Sequence, residues 1–321
     1  MRRRATSPLP QRHGLDAARL RLPTGGPWAT LREHLVDRLP RVAPERIDAM
    51  LRERAIVGTR GPLALDSPFE PGSLIWFHRD LPDEVEVPFP IPTLYRDERI
   101  LVVDKPHFLA TIPRGRHIRQ TALVRLRLEL DLPDLSPAHR LDRATAGVLM
   151  FVVAREYRGA YQNLFRDRQV RKSYRAIARY DAALDLPRTV RSRIVKERGV
   201  VCAQELPGPA NSETLVELLE HRGDLGRYRL TPHTGRTHQL RVHLSGLGIP
   251  IVNDDLYPEP SERPLDDFSA PLQLLASSLE FTDPVSGREM RFESHARLAW
   301  QTRDSSPTGS PVTFHQDPAR T

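Results

Sequence analysis

A continuous apolar run, Val148-Leu149-Met150-Phe151-Val152-Val153-Ala154, predicts a strand buried on both faces. Ile100-Leu101-Val102-Val103 predicts a second, shorter one. Helical spacing shows elsewhere. Leu31, Leu35 and Leu39 recur every fourth residue up to Pro40, which closes the helix. Thr30 and Glu33 stand at capping-box spacing at its start. Pro44 suits a first helical turn, and Ile47, Met50, Leu51 and Ala55 follow on one face. Residues 120–130 predict a helix, and so do residues 158–168, with Ala160, Tyr161, Leu164 and Phe165 on one side. Strands dominate from there to about Pro232. Residues 235–248 turn into a helix bearing Leu240, Leu244 and Leu247, and Leu272-Gln273-Leu274-Leu275-Ala276 and Leu279-Glu280-Phe281 read as closing strands. The mixture implies an α+β fold around a mainly antiparallel sheet.

Residues 1–26 are polar and rich in arginine and proline, which predicts a disordered basic arm. Residues 27–86 form a small unit of two helices and a turn-rich strand region ending near Trp76-Phe77-His78. Val87-Pro88-Phe89-Pro90-Ile91-Pro92 is extended, because each residue before a proline is driven out of helical space, and it reads as a linker. A larger domain follows over residues 91–302, and residues 303–321 read as a disordered tail. The 321 residues contain no apolar run long enough to cross a membrane, and the N-terminus has no apolar core of a secretory signal. A single cysteine, Cys202, excludes an internal disulfide and fits a reducing cytoplasm. The net charge of +7 suits a nucleic-acid partner, although acidic residues screen most of the positive charge.

The candidate chemistry sits just before the long apolar run. His139-Arg140-Leu141-Asp142-Arg143-Ala144-Thr145-Ala146-Gly147 places a carboxylate two residues after an arginine and follows it with a small-residue turn. Spacing alone slightly favours a surface loop with an ordinary salt bridge. The segment resembles the catalytic signature of the RluA-type pseudouridine synthases, His-Arg-Leu-Asp-x-x-Thr-Ser-Gly. Val170-Arg171-Lys172-Ser173-Tyr174-Arg175-Ala176 is similar to that family's second motif, and Thr234-Gly235-Arg236-Thr237-His238-Gln239-Leu240-Arg241-Val242-His243-Leu244 to its third. Leu101-Val102-Val103-Asp104-Lys105-Pro106 resembles the family's early strand. The unit at residues 27–86 resembles a small RNA-binding module of the S4 type, with Val57-Gly58-Thr59-Arg60-Gly61 where a glycine-valine-asparagine turn is usual. A helical extension that only packs on the larger domain reads equally well.

The resemblance implies an isomerase that detaches a uracil base of rRNA or tRNA, turns it, and rejoins it to the sugar through carbon. The reaction needs no cofactor, consistent with a sequence that carries neither a dinucleotide fingerprint nor a P-loop. The implied catalytic group is Asp142, either attacking the sugar or deprotonating an intermediate. Arg241 is implied as its ion-pair partner, which would favour the charged carboxylate. Tyr174 is implied to face the target base, and Arg140 to enter the helical stack as the uridine swings out. Arg143, Lys172 and Arg236 are candidates for phosphates. His139, Thr145, Gly147 and His238 belong to the motifs as structural residues, with His238 expected to bond backbone near the active loop. His233, His238 and His243 do not make a metal site, because His238 and His243 are five residues apart on a helix and no cysteine pair supports them.

The sequence departs from the family at several points. Ala144 and Ala146 stand where aspartate and serine are common, Leu275 where a histidine is frequent, and Phe108-Leu109-Ala110 in place of a glycine-leucine turn. These motivate an alternative: an RNA-binding assembly protein that kept the fold and lost the activity. A glycosidic hydrolase is a third reading, but it would want a second carboxylate. Nothing in the sequence demands more than a monomer.

Overall fold

The computed structural model describes residues 7–300. Part of the expected basic arm, residues 1–6, and the expected tail from 303 onward lie outside them. The elements in chain order are β1 (Ala18–Arg21), α1 (Leu31–Arg38), α2 (Pro44–Arg52), β2 (Val57–Gly58), β3 (Gly61–Pro62), β4 (Leu74–Phe77), β5 (Thr93–Arg96), β6 (Ile100–Lys105), α3 (Ala122–Glu129), β7 (Ser136–Pro137) and β8 (Ala146–Val152). A 3-10 turn at Arg155–Tyr157 leads into α4 (Arg158–Arg166). Then come β9 (Arg171–Arg179), β10 (Arg188–Val195), β11 (Gln204–Leu206), β12 (Ser212–Arg222), β13 (Leu225–Pro232), α5 (Gln239–Gly246), β14 (Leu274–Thr282) and β15 (Glu289–Glu293).

These strands make two sheets. The small one is four-stranded, in the order β1-β4-β2-β3. Its core joins Leu22, Leu31, Leu35, Ile47, Leu51 and Ile75. The capping box at the start of α1 forms as expected: the Glu33 amide donates to Thr30 Oγ1 at 3.2 Å, and Glu33 Oε2 accepts from the Thr30 amide at 3.4 Å. The expected disorder of residues 1–26 needs correcting for residues 7–26. Ala18–Arg21 is a strand paired with β4, because Leu20 and Leu22 have a core to enter. Upstream of it, Arg127 on α3 donates to the Gly14 carbonyl at 3.0 Å, and Gln11 donates to the Pro133 carbonyl at 2.8 Å. The arm thus bridges the two sheets.

The large sheet is 11-stranded, with the path β11-β10-β12-β13-β9-β14-β8-β6-β5 and with β15 and β7 attached to β14 and β8. Every pairing is antiparallel except that of β14 with β8. β8 is buried throughout. Its side chains alternate between faces as pleat geometry demands. Leu149 and Phe151 meet Leu123 and Leu126 of α3, whereas Val148, Met150 and Val152 meet Tyr161 and Leu164 of α4. α5 covers the other half of the sheet, with Leu240 and Leu244 on Ala176, Val216 and Leu230. The proline-rich 87–92 segment is docked rather than free: Val87 and Ile91 lie in the same cluster as α3, and Glu84 accepts from the amides of Ile118, Arg119 and Gln120. The closing strands expected at 272–276 and 279–281 are one strand with an irregularity between Ala276 and Ser278.

Candidate active site

The loop that carries Asp142 lies between β7 and β8 and is gripped by the segment that follows β6. Thr111 Oγ1 donates to the Leu141 carbonyl at 2.7 Å and accepts from the Leu141 amide at 3.1 Å. Lys105 Nζ donates to the Arg143 carbonyl at 3.4 Å and to the Leu109 carbonyl at 2.7 Å. His107 Nδ1 lies 2.7 Å from the Ala144 carbonyl. The Thr145 amide closes the turn on the Asp142 carbonyl at 3.1 Å. Backbone on both sides of Asp142 is therefore pinned, yet among the described residues nothing donates a hydrogen bond to its carboxylate. Rigid backbone with an uncommitted side chain is the arrangement a reactive group needs.

Gly147, the last motif residue, explains why the turn enters β8 here. Its φ is +110°, and a Cβ would meet the Ala276 carbonyl oxygen at 2.2 Å. Only glycine allows the parallel approach of β14. One residue earlier, Ala146 is buried opposite Leu275, so the two departures from the family pattern pack against each other. Phe108 occupies the left-handed region at φ 65°, where glycine is favoured. Its buried ring packs on Phe89 and Phe268 and lies 6.0 Å from the Arg143 guanidinium.

Asp142, Tyr174 and Arg241 all line one cleft of about 580 Å³. His139, Arg140, Arg143, Thr145, Lys172, Arg236 and His238 line it too. Asp142 stands at its centre electrostatically, because its charge acts on Lys105, Tyr174, His238 and Arg241. Burial pushes the Lys105 ammonium down to about 7, with Asp142 opposing the fall and Arg143 adding to it. Burial and then the nearby Asp142 charge raise the Tyr174 phenol, which stays protonated, and its hydroxyl has no partner among the described residues.

Arg241 departs from the arrangement implied by the resemblance. It is 3% exposed, and its Nε donates to Asp254 Oδ2 at 2.8 Å, with Nη2 bonding both Asp254 and Asp255. It forms no hydrogen bond or ion pair with Asp142. Burial works against its charge, but Asp254 more than compensates, and Asp142 and Asp255 add to that attraction. His238 also differs: it sits in the left-handed region at φ 57° ahead of α5, and its Nδ1 lies 3.0 Å from the Tyr257 hydroxyl rather than on backbone. Tyr257 in turn bonds the amide and carbonyl of Ala203. Asp254, Asp255 and Tyr257, like Thr111 and His107, went unnoticed in the sequence. The acidic pair one residue beyond the apolar Ile249-Pro250-Ile251-Val252, after Asn253, was the available signal.

The remaining basic groups ring the cleft. Arg140 is exposed. Lys172 reaches the Thr234 carbonyl at 3.3 Å and Arg236 the Asn211 carbonyl at 3.1 Å. His139 accepts from the Met150 amide at 3.1 Å and stacks on Phe165 at 4.5 Å, so burial, and then Lys172, push it down to about 3. His243 is turned away into the fold, bonded to Thr214, Ser192 and Ser212. His233, on the cleft lining, completes the trio weighed above as a metal set.

Residues 99–246 match the family described as RNA pseudouridylate synthase. The dual-specificity RNA pseudouridine synthase RluA of Yersinia pestis is 34% identical over 210 residues, which cover 64% of this chain and 98% of that one. Its counterpart in Escherichia coli K12 is 35% identical over 212 residues, covering 63% and 92%. Among solved structures, human RNA Pseudouridylate Synthase Domain Containing 4 superposes with a TM-score of 0.50 at 25% identity, over 65% of this chain and 89% of that one. Relatives this similar, matched along nearly their whole length, make the chain a member of the RluA-type RNA pseudouridine synthases, and so an isomerase.

Proposed function

We propose that this enzyme isomerises particular uridines of ribosomal or transfer RNA, with Asp142 as the group that acts at the sugar. The observation that carries this is the pinned loop around an uncommitted carboxylate, open to the cleft. The bond from the sugar C1′ to N1 of uracil breaks, the base turns, and C1′ bonds C5, whose proton moves to nitrogen, so atoms and electrons balance without an added reagent. A carboxylate can form an ester at C1′ or remove a sugar proton, and both need it ionised. The Asp142 charge acts in turn on Arg241, Lys105 and His238 around it. Tyr174 offers its ring to the base and a protonated hydroxyl for hydrogen bonding.

Arg140, exposed on the cleft, suits insertion where the uridine leaves its stack. Arg143, Lys172 and Arg236 suit phosphates, each keeping donors beyond the one it spends on a carbonyl. The two relatives are named as dual-specificity RNA pseudouridine synthases, which supports a search for more than one RNA substrate here. The test is pseudouridine mapping of total RNA from cells lacking the gene, complemented with wild type or Asp142→Asn. Sites restored by wild type alone support the reading and name the substrate; restoration by Asp142→Asn, or a map that never changes, overturns it.

A further inference from the structure

His34, on α1, is buried to 1% exposure, and neither of its ring nitrogens has a hydrogen-bond partner among the described residues. Buried polar side chains are almost always bonded, so an orphaned pair on one ring calls for a reason. Ring packing surrounds it without bonding either nitrogen: Trp28 meets His34 at 4.4 Å in a T-shaped contact and Phe69 lies tilted at 5.2 Å. Burial keeps the imidazole neutral. A neutral imidazole presents one donor and one acceptor.

His34 lies at the wall of a second cleft of about 510 Å³, formed by Trp28, Pro23 and Pro40. Arg21, Arg38 and Asp37 stand on its exposed rim. The loop into α1 is shaped around the indole, since a Cβ on Gly26 would fall 2.0 Å from the Trp28 ring. A planar apolar wall, a donor and an acceptor beneath it, and guanidinium groups at the mouth together match one ligand chemistry: a planar heterocycle carrying a phosphate. Unpaired bases are bound on aromatic side chains in this way, with arginine on the backbone.

We propose that this cleft holds an unpaired nucleotide of the substrate RNA, with its base against Trp28, its edge at His34 and its phosphate at Arg21 and Arg38. This rests on the chain acting on RNA, and it gives the small sheet a binding role remote in sequence from the three motifs. The Asp37 carboxylate on the same rim directs a phosphate to the arginines and leaves a base amino group as its own partner.

The test uses the full chain and a short single-stranded RNA carrying 4-thiouridine. After irradiation and tryptic digestion, a nucleotide adduct is expected on the peptide spanning residues 22–32, which contains Trp28. Trp28→Ala should weaken binding of the same RNA by roughly tenfold, as loss of one stacked base does. Because that change also removes packing, Arg38→Glu, on the exposed rim, is measured beside it and should likewise weaken binding. Adducts confined to peptides of the Asp142 cleft, or wild-type affinity in Arg38→Glu, would overturn the proposal. Pseudouridine formation by the same wild-type preparation is measured alongside. Formation without an adduct on residues 22–32 removes this cleft and leaves the enzyme reading standing; an adduct without formation does the reverse.

Discussion

Arg241 is forked onto the Asp254 carboxylate, with Nε 2.8 Å from Oδ2, and both side chains are almost wholly buried. Asp254 also accepts from the amides of Leu256 and Tyr257 at 2.9 and 3.0 Å. One carboxylate therefore orients Arg241 and shapes the turn that holds Tyr257 against His238. Asp142 feels the Arg241 charge without surrendering its oxygens to it.

Replacing Asp254 by Asn keeps an acceptor for the two amides and removes the charge. Breaking a buried pair costs about 3–5 kcal/mol. The loss expected for Asp254→Asn is toward the lower end, because Asp255 still reaches Arg241. Urea unfolding measures it. Asp255→Asn, at a position 24% exposed, should cost less; equal losses would mean that Asp254 is not the principal anchor.

Thr111 ties down the residue just before Asp142 with two reciprocal bonds. Thr111→Val keeps the shape and leaves a buried amide and carbonyl unbonded, a penalty of about 1–3 kcal/mol. The variant should fold, bind RNA with near wild-type affinity, and show kcat reduced on the order of tenfold, because a loosened loop no longer holds the carboxylate in place. Unchanged kcat in single-turnover assays would remove Thr111 from the positioning of Asp142.

Gly147→Ala should prevent stable folding. The added Cβ would meet backbone of β14, which no side-chain rearrangement can relieve, and the positive φ adds strain. We expect little soluble protein, or a loss of stability well beyond the roughly 1 kcal/mol ordinary for a point substitution, read as a lowered Tm. A soluble Gly147→Ala protein with a wild-type Tm would contradict the close approach of the two strands.

The His139 imidazole must be unprotonated at Nε2 to accept from the Met150 amide, and burial holds it near about 3. His107 is likewise pushed down by burial, to about 4. An unfolded chain binds these protons near pH 6.5, so it carries more protons than the folded one between that pH and the lowered values. Stability is then complete above about pH 6.5 and falls as the pH drops toward 4, by up to about 1.4 kcal/mol per unit for each histidine. Denaturant midpoints across that range check this, and His139→Asn should reduce the slope. A slope unaltered by that change would show that His139 does not titrate with unfolding.

Local signals in the sequence were reliable where the cause was local. The Thr30–Glu33 cap, the unbroken apolar run of β8 and the amphipathic face of α4 each follow from residues a few positions apart. The motif order brought Asp142, Tyr174 and Arg241 to one cleft. What escaped depended on distant partners. Asp254 and Asp255 meet Arg241 only because the chain reverses after α5, and Thr111 meets Leu141 across 30 positions. The alternation Ala18-Arg19-Leu20-Arg21-Leu22 did carry a strand signal, but arginine-rich composition masked it until β4 supplied a partner.

Ala276 has Tyr174 opposite it on one side and Gly147 on the other. The strand bearing Tyr174 and the strand entered from the Asp142 loop are thus not neighbours; β14 is the slat between them. β14 comes later in the chain than both, so the stretches of β8 and β9 that pair with it have no partner on that side until residues 274–282 are made. Without that slat the sheet is two pieces, with Tyr174 on one and the Asp142 loop on the other.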